Sequence, residues 1–575
     1  MKKPTAPSPR KRAGGARSTL LKPAAQKKTS SPSNEEIMRQ MGMEIESLDK
    51  RVSKPKPRQP PKKRNSQALH VEQERRYDLE AKKPDQKKME LYKKVRTSSR
   101  MKKELALIPK AIREAHEKKP LWGHQLITLE LYRNSELVLD FSDPGTAKTR
   151  SALQAFAERR RSGGGKALVL APRTLLECAW GNDAREFCAD MKLSVAYSYN
   201  RPKAFEAKAD IYITNIDGVK WLVDNVKVLA GFDTLIIDEL TAFKHKSSNR
   251  SKAARTLAKR FKYRAGLTGT PNSNSITDVW HQAMVIDEGK RLGRGFIEFR
   301  NAVQTLDDQN RWVDRTGSEE AVSSILSDIT VRHRFEDCMD IPPHSMHIVK
   351  YRPPEKLIAI YDEFEARAEL RRQEGKVTAV NAAVLRNKLL QIASGAVYGR
   401  GDFEDPTGEL RPTLILDDER AELTMDLIDE VDFPCLVFFC WGHQKEQLLR
   451  IAEKRGIRYA LLDKSTPDKR RAEIVSHYQA GLYKVLFLHP RTGAHGLTLT
   501  RGRRTICISP FYEADALKQL THRTYRGGQV ERTETIMIEA EGTIEADVYN
   551  KRNGKYGRMQ KFLELCEEES EEQDE

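Results

Sequence analysis

Short apolar, β-rich runs alternate with amphipathic helical stretches along most of this chain, and that alternation is the strongest constraint on its fold. In the first half the runs are ELVLDF, KALVLAP, ADIYITN, DTLIIDE and YRAGLTGTP; in the second they are PCLVFFCW, RYALLD, KVLFLHP and RTICISP. Runs this uniformly apolar suit strands covered on both faces, and helices between consecutive strands make those strands parallel. Two such series predict an α/β protein of two tandem lobes, each built on a parallel sheet. A chain of 575 residues has room for both, at about 100–200 residues per domain.

The ends read differently. Residues 1–66, with KKPTAPSPRKRAGGAR and KPKPRQPPKKR, are poor in apolar residues and rich in Lys, Arg, Pro, Ser and Gly. Such a segment cannot offset its ordering entropy by burial, so a disordered basic arm is expected, either a tether to phosphates or a solvated tail. Residues 67–118 alternate charged residues with Leu, Met and Ile and read as a helical connector. The first lobe is placed at 119–335, the second at 336–552, and a C-terminal helix with the acidic tail EEESEEQDE at 553–575. The arm or the tail offers a surface for a protein partner.

The formal net charge of +19 favours a polyanionic partner, nucleic acid before membrane. No apolar run approaches the roughly 20 residues of a bilayer span, and the N-terminus lacks a signal peptide's apolar core, so a soluble intracellular protein without membrane association is expected. Seven cysteines, scattered and never paired as C-x-x-C, indicate neither a disulfide framework nor a zinc site and read as reduced packing residues.

Four segments carry chemistry. SDPGTAKT stands between an apolar strand and a helix, where backbone N–H groups and the helix dipole converge on phosphate. Pro144, Gly145, Thr146, Ala147, Lys148 and Thr149 would line that loop, with Lys148 reaching the β and γ phosphates and Thr149 ligating magnesium. Ala147 stands where a glycine is usual. A positive φ there would cost about 1–2 kcal/mol, or about tenfold if expressed in nucleotide affinity. The strand FDTLIIDE ends in Asp238, suited to magnesium, and Glu239, suited to orienting an attacking water. Thr268, Gly269 and Thr270 end another strand and could sense the γ-phosphate. In QLTHRTYRGGQ, Arg523 and Arg526 are expected three apart on one helix face, as a clamp on a transferring phosphoryl group.

Taken in order, these segments resemble the Swi/Snf-type branch of superfamily 2 helicases and translocases, particularly compact versions encoded by bacteriophages. LWGHQ resembles the adenine-reading motif, with Gln125 in the reading position. LAPRTLLECAW resembles motif Ia, ITNID motif Ib, IIDELTAF the DEAH-type box, and LTGTPNSNSITDVWHQ motif III through to Trp280 and Gln282. CLVFFCW resembles motif IV, HPRTGAHGLTLT motif V, QLTHRTYRGGQ motif VI, and GTIE at Gly542 to Glu545 follows as it does in this branch.

The resemblance implies two RecA-like lobes with ATP and Mg2+ in the cleft, hydrolysed to drive translocation on double-stranded DNA and remodelling of what is bound to it. Lys148, Asp238, Glu239, Arg523 and Arg526 would be catalytic; Thr268, Gly269, Thr270 and Gln519 would couple the lobes. Arg173, Thr174, Asn215, Arg491 and Thr498 would meet the nucleic-acid backbone, largely without regard to sequence. If phage-encoded, the protein would work in the host cytoplasm. A strand-separating DNA or RNA helicase and a nucleic-acid-binding structural module with reduced turnover remain the alternatives.

Overall fold

Strands apolar on both faces demand cover on both faces, and the chain meets that demand twice. The computed structural model describes residues 118–572 except 309, 374–378, 399–412, 491–496 and 512–513, together with positions 76–77, 87, 90–91 and 94. The basic arm, most of the connector and Arg491 lie outside the described residues.

The first sheet contains β1 (Leu137–Asp140), β2 (Lys166–Ala171), β3 (Leu193–Ala196), β4 (Ile211–Asn215), β5 (Phe232–Asp238), β6 (Tyr263–Leu267) and β7 (Thr330–Val331). Its spatial order is β7-β1-β6-β5-β2-β4-β3, and every neighbouring pair is parallel. Along β2, Leu168 and Leu170 enter one apolar core while Ala167, Val169 and Ala171 enter the core on the opposite face. This is the continuous burial that its uniformly apolar sequence requires.

The second sheet contains β8 (His344–Tyr351), β9 (Cys435–Phe438), β10 (Tyr459–Leu462), β11 (Val485–Leu488), β12 (Arg504–Cys507) and β13 (Thr533–Ala540), with a short strand at Arg76–Tyr77. The order is Arg76–Tyr77, then β8-β13-β12-β9-β11-β10. All pairs are parallel except the first, which is antiparallel. In β9, Cys435 and Val437 face one core and Leu436 and Phe438 the other.

Four helices matter for the site: α1 (Gly123–Asn134), α2 (Lys148–Arg161), α3 (Ala514–Thr524) and α4 (Glu545–Glu572). The boundary expected at 553 falls inside α4, because the helix is anchored at its first residue. The Glu545 carboxylate, fully buried, pairs with Arg420 at 2.9 Å and accepts the Ala540 N–H at 2.8 Å. The Arg420 guanidinium also donates to the carbonyls of Ala393 and Ile508 and to the Ser509 hydroxyl. A buried charge needs that degree of pairing, which gives the GTIE glutamate a structural reason.

From there α4 runs for 28 residues, a length of about 42 Å at ~1.5 Å per residue. It reaches the first lobe, where Met559, Phe562, Leu563 and Cys566 join the core that holds Leu139, Phe141 and Leu326. The rings of Phe562 and Phe141 lie 6.1 Å apart. One helix therefore belongs to the apolar interior of both lobes.

The helix α3 ends at Thr524, which corrects the expectation for Arg526. That residue follows the helix instead of sharing a face with Arg523, in the turn that runs on to Gly527 and Gly528, the latter at φ +92°. The cysteines are all free thiols, yet Cys178 is exposed, so it is not a packing residue. No helix among the described residues is long and apolar enough to cross a membrane.

Candidate active site

In a parallel sheet all strands point one way, so the segments that leave their carboxyl ends gather along one edge. In the first lobe Asp140 and Asp238 are both register partners of Leu267. The phosphate-type loop, the Asp238–Glu239 pair and the Thr268–Thr270 segment therefore start at the same height on adjacent strands. Ala171 and Asn215 are likewise register partners, so the turn after β2 that carries Arg173 and Thr174 starts beside Asn215 at the end of β4.

The loop is tightly built. Gly145 has φ +97°, and a Cβ there would come within 3.1 Å of the Phe335 ring. A Cβ on Gly269 would come within 2.8 Å of Pro144, so the loop and the strand-end segment pack backbone to ring. The Thr146 hydroxyl donates to the Asp143 carbonyl at 2.9 Å. Lys148 donates to the carbonyls of Ser142 at 2.6 Å and Asp143 at 3.0 Å. The Thr149 hydroxyl hydrogen-bonds the Asp183 carboxylate. Gln125, on α1, accepts the Trp122 N–H at 2.8 Å and donates to the Ala147 carbonyl at 3.2 Å.

Ala147 adopts φ 56° and ψ 46°, the left-handed region, at the start of α2. This geometry belongs to the way the loop enters the helix, so its cost falls on folding, which corrects the expectation of a loss of about tenfold in nucleotide affinity. Ala147→Gly removes the steric term and adds chain entropy to the unfolded state, a net gain of about 0.5–1 kcal/mol. The expected outcome is a small rise in stability by denaturant titration with nucleotide affinity altered less than tenfold.

Around Asp238 the carboxylates are held by named donors. Oδ1 accepts the Glu239 N–H at 3.0 Å, and Oδ2 accepts the indole N–H of Trp180 at 2.9 Å. Burial and then the adjacent Glu239 push the Asp238 carboxyl up to about 6, against the opposing pull of the Trp180 hydrogen bond and Lys148. Trp180 is fully buried. If Asp238 takes the magnesium role expected from the sequence, losing the partner that orients it costs about 10- to 100-fold in metal affinity or activity. Trp180→Phe is expected to lower turnover by that amount with the fold retained, as read by steady-state ATP hydrolysis and circular dichroism.

Glu239 is also left-handed, at φ 53°, which turns its side chain off the strand direction toward the second lobe. There Gln519 donates to its Oε2 at 3.5 Å. Thr268 accepts the Thr270 N–H on its hydroxyl at 3.2 Å, and both threonines are buried.

From the second lobe, Arg523 and Arg526 both donate to the Leu497 carbonyl, at 3.2 and 3.4 Å. Burial and then Arg526 pull the Arg523 guanidinium down to about 9, while Glu239 in the first lobe opposes that shift. Burial lowers Arg526 as well, with Cys178 and Asp183 of the first lobe opposing. The structure thus brings both arginines into the electrostatic reach of the first lobe's site. Two neighbouring cations, Arg523 buried and Arg526 half-buried, fit a polyphosphate, which would relieve their mutual repulsion. The adjacent carboxylates Asp238 and Glu239, with the former's charge disfavoured by the latter, fit a divalent cation in the same way.

The expected nucleic-acid residues are divided between the lobes. Arg173 and Thr174 sit in a single 3-10 turn after β2, Arg173 exposed, and Thr498 is exposed on the second lobe. The Asn215 side-chain Oδ1 accepts from the Arg201 guanidinium at 2.7 Å, so that side chain is engaged within its own lobe.

The profile of the SNF2-related domain matches residues 81–395, and that of the helicase conserved C-terminal domain matches residues 419–528. The putative protein p41 of Acyrthosiphon pisum secondary endosymbiont phage 1 is 28% identical over 73% of this chain and 93% of its own length. The probable global transactivator of Orgyia pseudotsugata multicapsid polyhedrosis virus is 21% identical over 70% of this chain and 82% of its own. Among solved structures, the Sulfolobus solfataricus SWI2/SNF2 ATPase core in complex with dsDNA is 21% identical, covering 75% of this chain and 90% of that one at a TM-score of 0.37.

Proposed function

This chain belongs to the SNF2-related family, and from that premise we propose that it hydrolyses ATP between its two lobes to move along double-stranded DNA and displace what is bound there. The observation that carries the reading is the docking of α3 against the first lobe's strand-end edge, with Gln519 on Glu239 and Arg523 within the field of the same carboxylate.

In this reading Lys148 exchanges the carbonyls of Ser142 and Asp143 for phosphate oxygens, a stronger, charge-assisted pairing. Gln125, fixed to the loop through Ala147, reads the adenine. Glu239 orients water toward the terminal phosphate and accepts its proton. Arg523 and Arg526 stabilise the charge that develops on the transferring group. Magnesium, held by Thr149 and Asp238, would supply neutralisation of the phosphate oxygens. Thr268, Gly269 and Thr270, which pack beside the loop, and Gln519 transmit the state of the cleft from one lobe to the other.

Arg173, Thr174 and Thr498, with Arg491, would hold the backbone of the duplex. The net charge of +19 supports a polyanionic track. Displacement of a third strand from a triplex by ATP and protein, without separation of a tailed duplex, is the expected result. Separation of the tailed duplex would instead identify a helicase, and hydrolysis without displacement would remove translocation from the account.

A further inference from the structure

Among the side chains that cross between the lobes, one is a lysine outside every motif role assigned above. Lys518, on α3, is almost wholly buried, with 3% of its side chain exposed, and its Nζ lies 2.6 Å from Oδ1 of Asp143. The same ammonium donates to the Gly269 carbonyl at 3.3 Å. It therefore touches the phosphate-type loop and the adjoining strand-end segment at once.

Asp143 is the junction of that part of the site. Its Oδ1 also meets Arg332 at 2.9 Å, and its Oδ2 accepts the Phe335 N–H at 3.1 Å. Its backbone N–H donates to the His333 carbonyl at 3.0 Å. Its own carbonyl accepts both Lys148, at 3.0 Å, and Thr146, at 2.9 Å. The residue thus links the loop lysine, the segment leading out of the first lobe and, through Lys518, the helix that carries Gln519 and Arg523. The ring of Phe335 stands edge-on to His522 and Tyr525, closing the surroundings of the pair with apolar faces.

We propose that Lys518 is the interlobe positioning residue of the site, its ion pair with Asp143 fixing where α3 docks and so where Arg523 and Arg526 stand relative to the nucleotide loop. The inference rests on the ATPase reading for its kinetic consequence, but not for its structural one. An ammonium taken out of water is tolerated only opposite a carboxylate, and this carboxylate sits on the other lobe, so the helix is held in one register. The two partners are not equivalent. Removing Lys518 leaves Asp143 paired with Arg332 and the Phe335 N–H, and the loop keeps its shape. Neutralising Asp143 leaves Lys518 facing Arg332.

The test uses the full chain with Lys518→Met, which keeps the length without the charge, and Lys518→Arg as the conservative variant. Hydrogen exchange across residues 514–526 is expected to rise at least tenfold in Lys518→Met while exchange at residues 140–150 stays as in the wild type. In steady-state ATP hydrolysis with duplex DNA, kcat should fall at least tenfold with KM for ATP changed less than threefold, and Lys518→Arg should recover most of kcat. Unchanged exchange in 514–526 overturns the proposal whether or not the protein hydrolyses ATP. A change confined to KM, or equal loosening of both segments, overturns it too. Absence of ATP turnover in the wild type counts against the ATPase reading alone, because the exchange measurement still decides the role of Lys518.

Discussion

Glu239→Gln is expected to cut ATP turnover by at least about 100-fold, the usual weight of a positioned general base, while ATP binding is retained or tightened. The substitution is nearly isosteric, so the left-handed backbone at φ 53° is kept, as is the N–H that Glu239 donates to Asp238 at 3.0 Å. What is lost is the charge that attracts a water's proton. What is gained is relief of Asp238, whose carboxyl the neighbouring charge helps push up to about 6. Single-turnover hydrolysis and equilibrium binding of a fluorescent ATP analogue separate the two effects. A drop of less than fivefold in turnover would remove Glu239 from the chemistry.

Arg523→Ala should reduce kcat by on the order of 10³-fold, the lower end for arginines that complete a phosphoryl-transfer site from another element. Its signature is a divergence of activity from stability. Burial and Arg526 pull this guanidinium down to about 9, so keeping it charged there costs the fold free energy, and its removal should leave the melting temperature unchanged or raised. An ordinary structural arginine behaves oppositely, its loss lowering stability at least as much as activity. Such a stability cost at a functional position is the expected pattern for a site prepared for an anionic group. Loss of stability with kcat intact would assign Arg523 to packing through its bond to the Leu497 carbonyl.

The pattern of apolar runs was legible because strands covered on both faces have no polar alternation to obscure them. All nine runs contain strands of the two sheets. The strands that escaped notice have different signals. β8, HSMHIVKY, and β13, TETIMIEA, mix polar and apolar residues, β3, LSVA, is short and interrupted by a serine, and β7 has only two residues. Three of the expected segments, the loop after β1, Asp238 with Glu239, and Thr268 to Thr270, were legible as positions because each follows the end of a strand. Residues that act across space were not. Nothing in the spacing of Trp180 announces its hydrogen bond to Asp238, 58 positions later. Lys518 and Asp143 are far apart in the chain and meet only because α3 crosses to the other lobe.

Ala147 shows the same limit in a subtler form. The residue type revealed that a glycine position was filled, and the structure puts it in the left-handed region as that reasoning required. Where the cost falls could not be read from the letters, because it depends on whether the conformation belongs to the loop's fold or to its grip on a ligand. The loop's entry into α2 assigns it to the fold.

The central claim is that polyanion binding on one surface drives phosphate chemistry in the cleft. Steady-state ATP hydrolysis, measured with no nucleic acid, single-stranded DNA, duplex DNA and duplex RNA at two salt concentrations, tests it most directly. The account predicts a rate that rises most with duplex DNA, weakens at the higher salt and vanishes in Lys148→Ala. A rate indifferent to duplex DNA, or one that survives Lys148→Ala, would contradict it.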